Sequence, residues 1–284
     1  MKRLPPTVSE LIETKSFEIN RNLNCLLPKA EINVNSVKRV QENRAGLLSS
    51  CLDALHPSWD SLDSIRRSAA CRFEWARAQF FLATEVLPHF EMTDSSVFHV
   101  TLVDKRWRFA PEVHPAKPFR HPRRKIRQAL HILRAQGFKP IYVIGYELSG
   151  DRNLRGNYLF EPHAHILITG VPKADLKAAF NVRMPRAARG VHKPVKVIHV
   201  APGEVANVLS YATKIKAEDR VEFVLSDGRH HRKHNRMSAE HFPAWLRCMA
   251  VTPIAHLIQF GGFAEPITSR FLRREMATMI GSIS

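Results

Sequence analysis

The chain has 284 residues, enough for one or two domains with an apolar core, and 44% of it is hydrophobic. Its formal charge of +17 sets up a field that draws polyanions, nucleic acid foremost. No stretch approaches the roughly 20 apolar residues of a membrane span, and MKRLPPTVSE at the start has no apolar signal-peptide core, so a cytoplasmic protein with no membrane partner is expected.

Residues 1–35, with Pro5, Pro6 and Pro28, read as an irregular arm. Residues 36–90 read as helical: Leu62, Ile65, Ala69, Phe73, Ala76 and Phe80 recur at three- and four-residue steps, and Asp60 or Ser61 can cap that stripe. Residues 97–103 are β-branched and aromatic, the pattern of a strand. After a loop with Pro111, Pro115 and Pro118 comes a basic helix over 120–136, ended by Gly137. Ile126, Leu130 and Leu133 make its apolar side; Arg120, Arg123, Arg124, Lys125, Arg127 and Arg134 crowd the rest. Strands follow at 141–147 and 163–168, joined by a polar loop, then a short helix at 173–180 and a strand at 194–200. Pro202 and Gly203 open a helix to about Ile215, and 221–225 reads as an edge strand. From 227 the chain is basic, then helical around 238–258, and ends in a polar tail. The four cysteines, Cys25, Cys51, Cys71 and Cys248, lack CxxC spacing, so they read as reduced buried thiols. The order β-α-β-β-α-β-α predicts an α+β fold: a ferredoxin-like (split βαβ) antiparallel sheet with helices on one face, plus an N-terminal helical region.

The chemistry begins at Pro162-His163-Ala164-His165. On a strand, positions i and i+2 share a face, so His163 and His165 present two imidazoles together while Ala164, Ile166 and Ile168 face a core. Glu147 ends the preceding strand, and pairing across the 148–162 loop would bring its carboxylate to them. Two histidines and a carboxylate suit a divalent ion with open positions. Glu161 shares the His163 side of the strand but reads as a solvated loop charge. On the helix after Pro202, Val205, Val208, Leu209, Ala212 and Ile215 form the apolar stripe, with Tyr211 at its edge and Lys214 one turn on. A phenol with a pKa of about 10 is a weak nucleophile at neutral pH; a nearby ammonium would favour the phenolate. Taken alone, an HxH pair also suits surface histidines, and an edge tyrosine also suits packing on the sheet.

The segments FHVTLVD, YELSGDRNLRGNYLFEPHAHILITG and VLSYATKIK come in the order of the three motifs of the HUH endonucleases, and the chain over about 96–216 resembles that superfamily, especially the rolling-circle replication initiators of plasmids and phages. The resemblance implies a nuclease domain over 94–226, an N-terminal arm and helical accessory region over 1–93, and a basic, partly helical extension over 227–284. It implies Mg2+ or Mn2+ held by His163, His165 and Glu147, with Tyr211 as nucleophile and Lys214 beside it. The implied substrate is single-stranded or extruded origin DNA, cut through a 5′-phosphotyrosine link, with host replication proteins as further partners. Many phage-type initiators carry a second tyrosine one turn later; none follows Tyr211 here. There is no GxxxxGK phosphate loop, so no use of ATP is expected. Arg120, Arg123, Arg124 and Arg127, with Arg229, Arg232 and Lys233, are candidates to neutralise DNA phosphates, and Phe119 to stack on a base. A transposase or mobilisation relaxase would use the same site. The rival from another class is a non-catalytic nucleic-acid-binding protein, and the position of Tyr211 separates them: it must meet the histidines in one cleft.

Overall fold

The computed structural model describes residues 78, 81–113, 117–154, 156–182, 184, 193–214, 217–250 and 252–263. The expected N-terminal arm, the apolar stripe from Leu62 to Phe80 and the polar tail lie outside them, as do Cys25, Cys51 and Cys71. The elements are α1 (Leu87–Glu91), β1 (Val97–Val103), α2 (Arg120–Ala135), β2 (Ile141–Arg152), β3 (Tyr158–Thr169), α3 (Lys173–Asn181), β4 (Val195–Val200), α4 (Val205–Ala212), β5 (Glu218–Val224), β6 (His230–Arg236), α5 (Phe242–Ala250), α6 (Ile254–Leu257) and β7 (Ile258–Gly261). This is an α+β fold. Among the described residues no helix is long and apolar enough to cross a membrane.

One sheet runs β4-β1-β3-β2-β5-β6, with β7 also on β2. Strands β4, β1, β3 and β2 pair antiparallel, but β5 joins β2 in parallel, so the sheet is mixed rather than antiparallel throughout. The cause lies in the length of β2 and β3, which are 12 residues each. Much of the stretch read as a polar loop between them continues the hairpin, because its polar residues are buried: Ser149, Asp151 and Glu161 are all under cover. The longer β2 offers two lengths of outer edge. β7 takes Tyr142–Gly145 and β5 takes Gly150–Arg152. Residues beyond 227, expected as an extension, thus supply two strands to the same sheet, with α5 and α6 between them. The basic run from 230 is itself strand β6.

Adjacent strand residues point to opposite faces, and this sorts the helices. One face carries Val100, Leu102, Ile144, Tyr146, Ala164, Ile166 and Ile168, all buried. There α2 covers the sheet: Phe119 at its start packs on Tyr146 with ring centres 5.8 Å apart, and α3 lies beside it. The other face carries Gly145, Glu147, His163 and His165, and α4 lies on it, with Tyr211 against His165. Helices therefore cover both faces, not one. The reason is the apolar side of α4, Val205, Leu209 and Ala212, which must be buried against something. Cys248 is free and buried, and burial pushes its thiol up to about 12, as the sequence led us to expect of an inert cysteine.

Candidate metal centre

The register assembles the centre from backbone alone. Glu147 lies directly opposite His163, and Gly145 opposite His165. Directly opposed residues of an antiparallel pair share a face, so the carboxylate meets both imidazoles. Glu147 Oε2 is 3.1 Å from His163 Nε2 and 3.3 Å from His165 Nε2. All three side chains are buried.

The remaining ring nitrogens constrain the tautomer of His163. Arg220 Nη2 donates to His163 Nε2 at 2.8 Å, so the proton of that ring sits on Nδ1, which donates to the Glu161 carbonyl at 3.1 Å. His165 Nδ1 is 3.2 Å from His99 Nε2 and 3.4 Å from Thr101 Oγ1, while its Nε2 has no hydrogen-bond partner. A proton on Nδ1 of His165 satisfies that side and leaves the Nε2 lone pair facing Glu147. Both oxygens of Glu147 also lack hydrogen-bond donors. Glu147 Oε2 and His165 Nε2 thus face each other with no hydrogen-bond partner, an arrangement that a bound cation would relieve. The ligand atoms of all three residues lie within 4.8 Å of one another. Glu147, His163 and His165 can together bind a metal ion.

Electrostatics points the same way. Burial pushes His165 down to about 3 despite Glu147, so its ring is neutral. Burial, aided by Lys196, lowers His99 to about 4. Burial works against the Glu147 carboxylate, but its basic neighbours, Lys214 among them, outweigh it and hold the group well below the usual range. A depressed histidine pKa means that the unfolded chain takes up the proton first, so stability rises with pH across the window between the folded and unfolded values. The metal-free protein should therefore lose stability as pH falls from about 6.5 towards 4, each of the two rings contributing a slope approaching about 1.4 kcal/mol per pH unit. Denaturant titrations with chelator at a series of pH values check this; a flat profile would contradict neutral burial of both rings.

Tyr211 lies beside these residues. Its ring centre is 4.9 Å from that of His165 and 5.8 Å from that of His99, and the residue is 43% exposed, so it edges the centre instead of filling the core. Lys214 Nζ lies 4.6 Å from the centre of the Tyr211 ring, 3.0 Å from Glu218 Oε2 and 3.4 Å from Glu147 Oε1. Lys214 does favour the phenolate, as expected, but it does not prevail. Burial raises the phenol and outweighs the ammonium, whose charge is shared with two carboxylates.

Helix α4 can approach this closely because residue 145 is glycine. A Cβ there would overlap the Ala212 carbonyl. Gly145→Ala should push α4 off the sheet and destabilise the fold by about 2 kcal/mol, the usual cost of overpacking, read as a fall in Tm. An unchanged Tm would show that the helix is not held there.

Sequence reasoning missed several neighbours. Glu161 is not a solvated charge: it is buried and paired with Arg108 and Arg220. His99, Arg108, Asp151 and Arg220 were not singled out. The available signal was the run Glu147-x-Ser149-x-Asp151 opposite Glu161-x-His163-x-His165, polar at every second position on one face. The basic helix α2 lies on the face opposite the centre. Its Arg123 caps the Tyr146 ring at 5.2 Å and donates to the His256 carbonyl, while Arg120, Arg124 and Arg127 are exposed. Arg232 and Lys233 lie on β6, across from Glu222 and Val221 of β5, and Arg229 pairs with Asp227 at 2.6 Å in the exposed turn between these strands. No family model matches the chain, and no curated protein or solved structure matches it either.

Proposed function

We propose that this protein is a metal-dependent nicking and joining enzyme for single-stranded or extruded DNA, of the HUH endonuclease type, that starts rolling-circle replication. The observation that carries the reading is Tyr211 at the open edge of the Glu147–His163–His165 group, its ring against His165. Further support comes from the order β4-β1-β3-β2, which with α2 and α3 as crossovers is the pattern of a split βαβ, ferredoxin-like sheet. The charge of +17 suits a DNA substrate.

A divalent ion in this group would polarise the scissile phosphate as a Lewis acid. Its mixed imidazole and carboxylate donors suit Mn2+ better than Mg2+. Glu147 would supply the anionic ligand and His163 and His165 the imidazole ligands, each ring oriented by the contact at its Nδ1. Tyr211 Oη attacks phosphorus, the bond to the 3′-oxygen breaks, and the tyrosyl proton ends on the released 3′-hydroxyl. The strand stays attached as a 5′-phosphotyrosine, which conserves the ester for later rejoining without ATP.

The test is a labelled single-stranded DNA pool incubated with the protein and Mn2+, then resolved under denaturing conditions. A covalent protein–DNA adduct that chelator abolishes is expected. Folded protein that binds the DNA but gives neither adduct nor cleavage would turn the reading to a non-catalytic binding protein.

A further inference from the structure

Beside the metal centre lies a second buried group of charges. Arg108 Nη1 is 2.7 Å from Asp151 Oδ2, and its Nη2 is 2.5 Å from Glu161 Oε1. The other oxygen of Glu161 is 3.2 Å from Arg220 Nη1. Two guanidinium groups thus balance two carboxylates, and Arg220 needs only Glu161 to complete the set. Yet its second amino group reaches past Glu161 to a ligand atom of the metal centre, His163 Nε2, at 2.8 Å. Its Nε is buried and has no hydrogen-bond partner.

This placement is unexpected for a purely supporting residue. A guanidinium keeps its charge at any accessible pH, so beside a set of cation ligands it repels the cation. The cost is offset if an anion arrives with the cation, because the guanidinium fork matches phosphate oxygens. The lone pair of His163 Nε2 serves one partner at a time, Arg220 or a metal ion. We propose that Arg220 is the phosphate-binding residue of the centre: when His163 Nε2 gives its lone pair to a cation, Nη2 of Arg220 is released and donates to an oxygen of the phosphodiester, while Nη1 stays on Glu161. Cation and phosphate are then coupled through one side chain, and Glu161 and Arg108 act as its anchor. The inference rests on the metal reading of Glu147, His163 and His165 given above.

Two binding measurements on the full chain test it without reference to cleavage. Mn2+ affinity is read from the signal of the free ion in electron paramagnetic resonance. Phosphate affinity is read from the broadening of the phosphorus resonance of inorganic phosphate by protein-bound Mn2+. Arg220→Ala should bind Mn2+ a few-fold more tightly than wild type, since a like charge is gone. It should bind inorganic phosphate roughly ten- to hundredfold more weakly, the range for losing a charge-assisted hydrogen bond. Arg220→Lys, which keeps the charge without the fork, should match wild type for Mn2+ and fall between the two for phosphate. Mn2+ binding needs residues from two strands and so certifies the fold of each variant; if Arg220→Ala does not fold, Arg220→Lys decides by the same readings. Weaker Mn2+ binding in the variants would make Arg220 a support for His163 and overturn the proposal, as would unchanged phosphate affinity. Either result leaves the metal centre standing, whereas a wild type that binds no Mn2+ overturns both.

Discussion

Tyr211→Phe is expected to bind Mn2+ and single-stranded DNA like the wild type, to form no covalent adduct, and to cleave on the order of 1000-fold more slowly or worse. The substitution removes one oxygen. The ring that packs against His165 and His99 and lies under Lys214 is retained, so the fold and the centre should be undisturbed. The chain has four tyrosines, and the other three are poorly placed to replace Tyr211. Tyr142 and Tyr146 are buried among the residues of the core. The Tyr158 hydroxyl donates to Asp219 at 2.5 Å, and burial together with that carboxylate raises its pKa. Residual cleavage through water would leave a free 5′-phosphate and no adduct, so the two readouts separate loss of the nucleophile from loss of the site. An adduct at wild-type yield in Tyr211→Phe would remove Tyr211 from the mechanism.

The geometry also explains which parts of the site were legible in sequence. Period-2 alternation puts His163 and His165 on one face whatever the rest of the fold does, and a short antiparallel connection brings Glu147 to them; the register bears this out. Tyr211 was readable as a helix-edge residue because the stripe of α4 excludes it. What could not be read was the pairing beyond Glu147. Ser149, Asp151 and Glu161 look like loop residues because burial of charge is normally avoided. Here partners distant in sequence permit it: Arg108 reaches Asp151 and Glu161, and Arg220 reaches Glu161 from β5. No local pattern encodes such pairs. The same holds for the sheet. The pairing of β2 with β3 follows from their short connection, whereas the parallel seating of β5 and the return of β7 to β2 depend on edges that exist only once the long hairpin has formed.

Glu147→Gln separates a metal centre from a structural ion pair with the second large effect. The change keeps the shape and removes the charge. If the carboxylate is a ligand, Mn2+ affinity should fall by at least about 100-fold. At a Mn2+ concentration 100 times the wild-type Kd, the wild type gains about 2.7 kcal/mol of stability, and a variant weakened 100-fold gains only about 0.4 kcal/mol. The metal-free comparison runs the other way. In the wild type, acceptor atoms of Glu147, His163 and His165 face one another at 3.1 and 3.3 Å with no donor between Glu147 and His165. A glutamine amide would supply that donor, and Lys214 would keep its nearer partner, Glu218, at 3.0 Å. The metal-free variant should therefore have a Tm at or above that of the metal-free wild type: the carboxylate costs stability until a cation offsets it. Thermal unfolding of both proteins, with Mn2+ and with chelator, gives the four values needed. A variant that is less stable in chelator, beside a wild type indifferent to Mn2+, would make Glu147 a partner for Lys214 alone. A gap that opens only when Mn2+ is present identifies the carboxylate as a ligand.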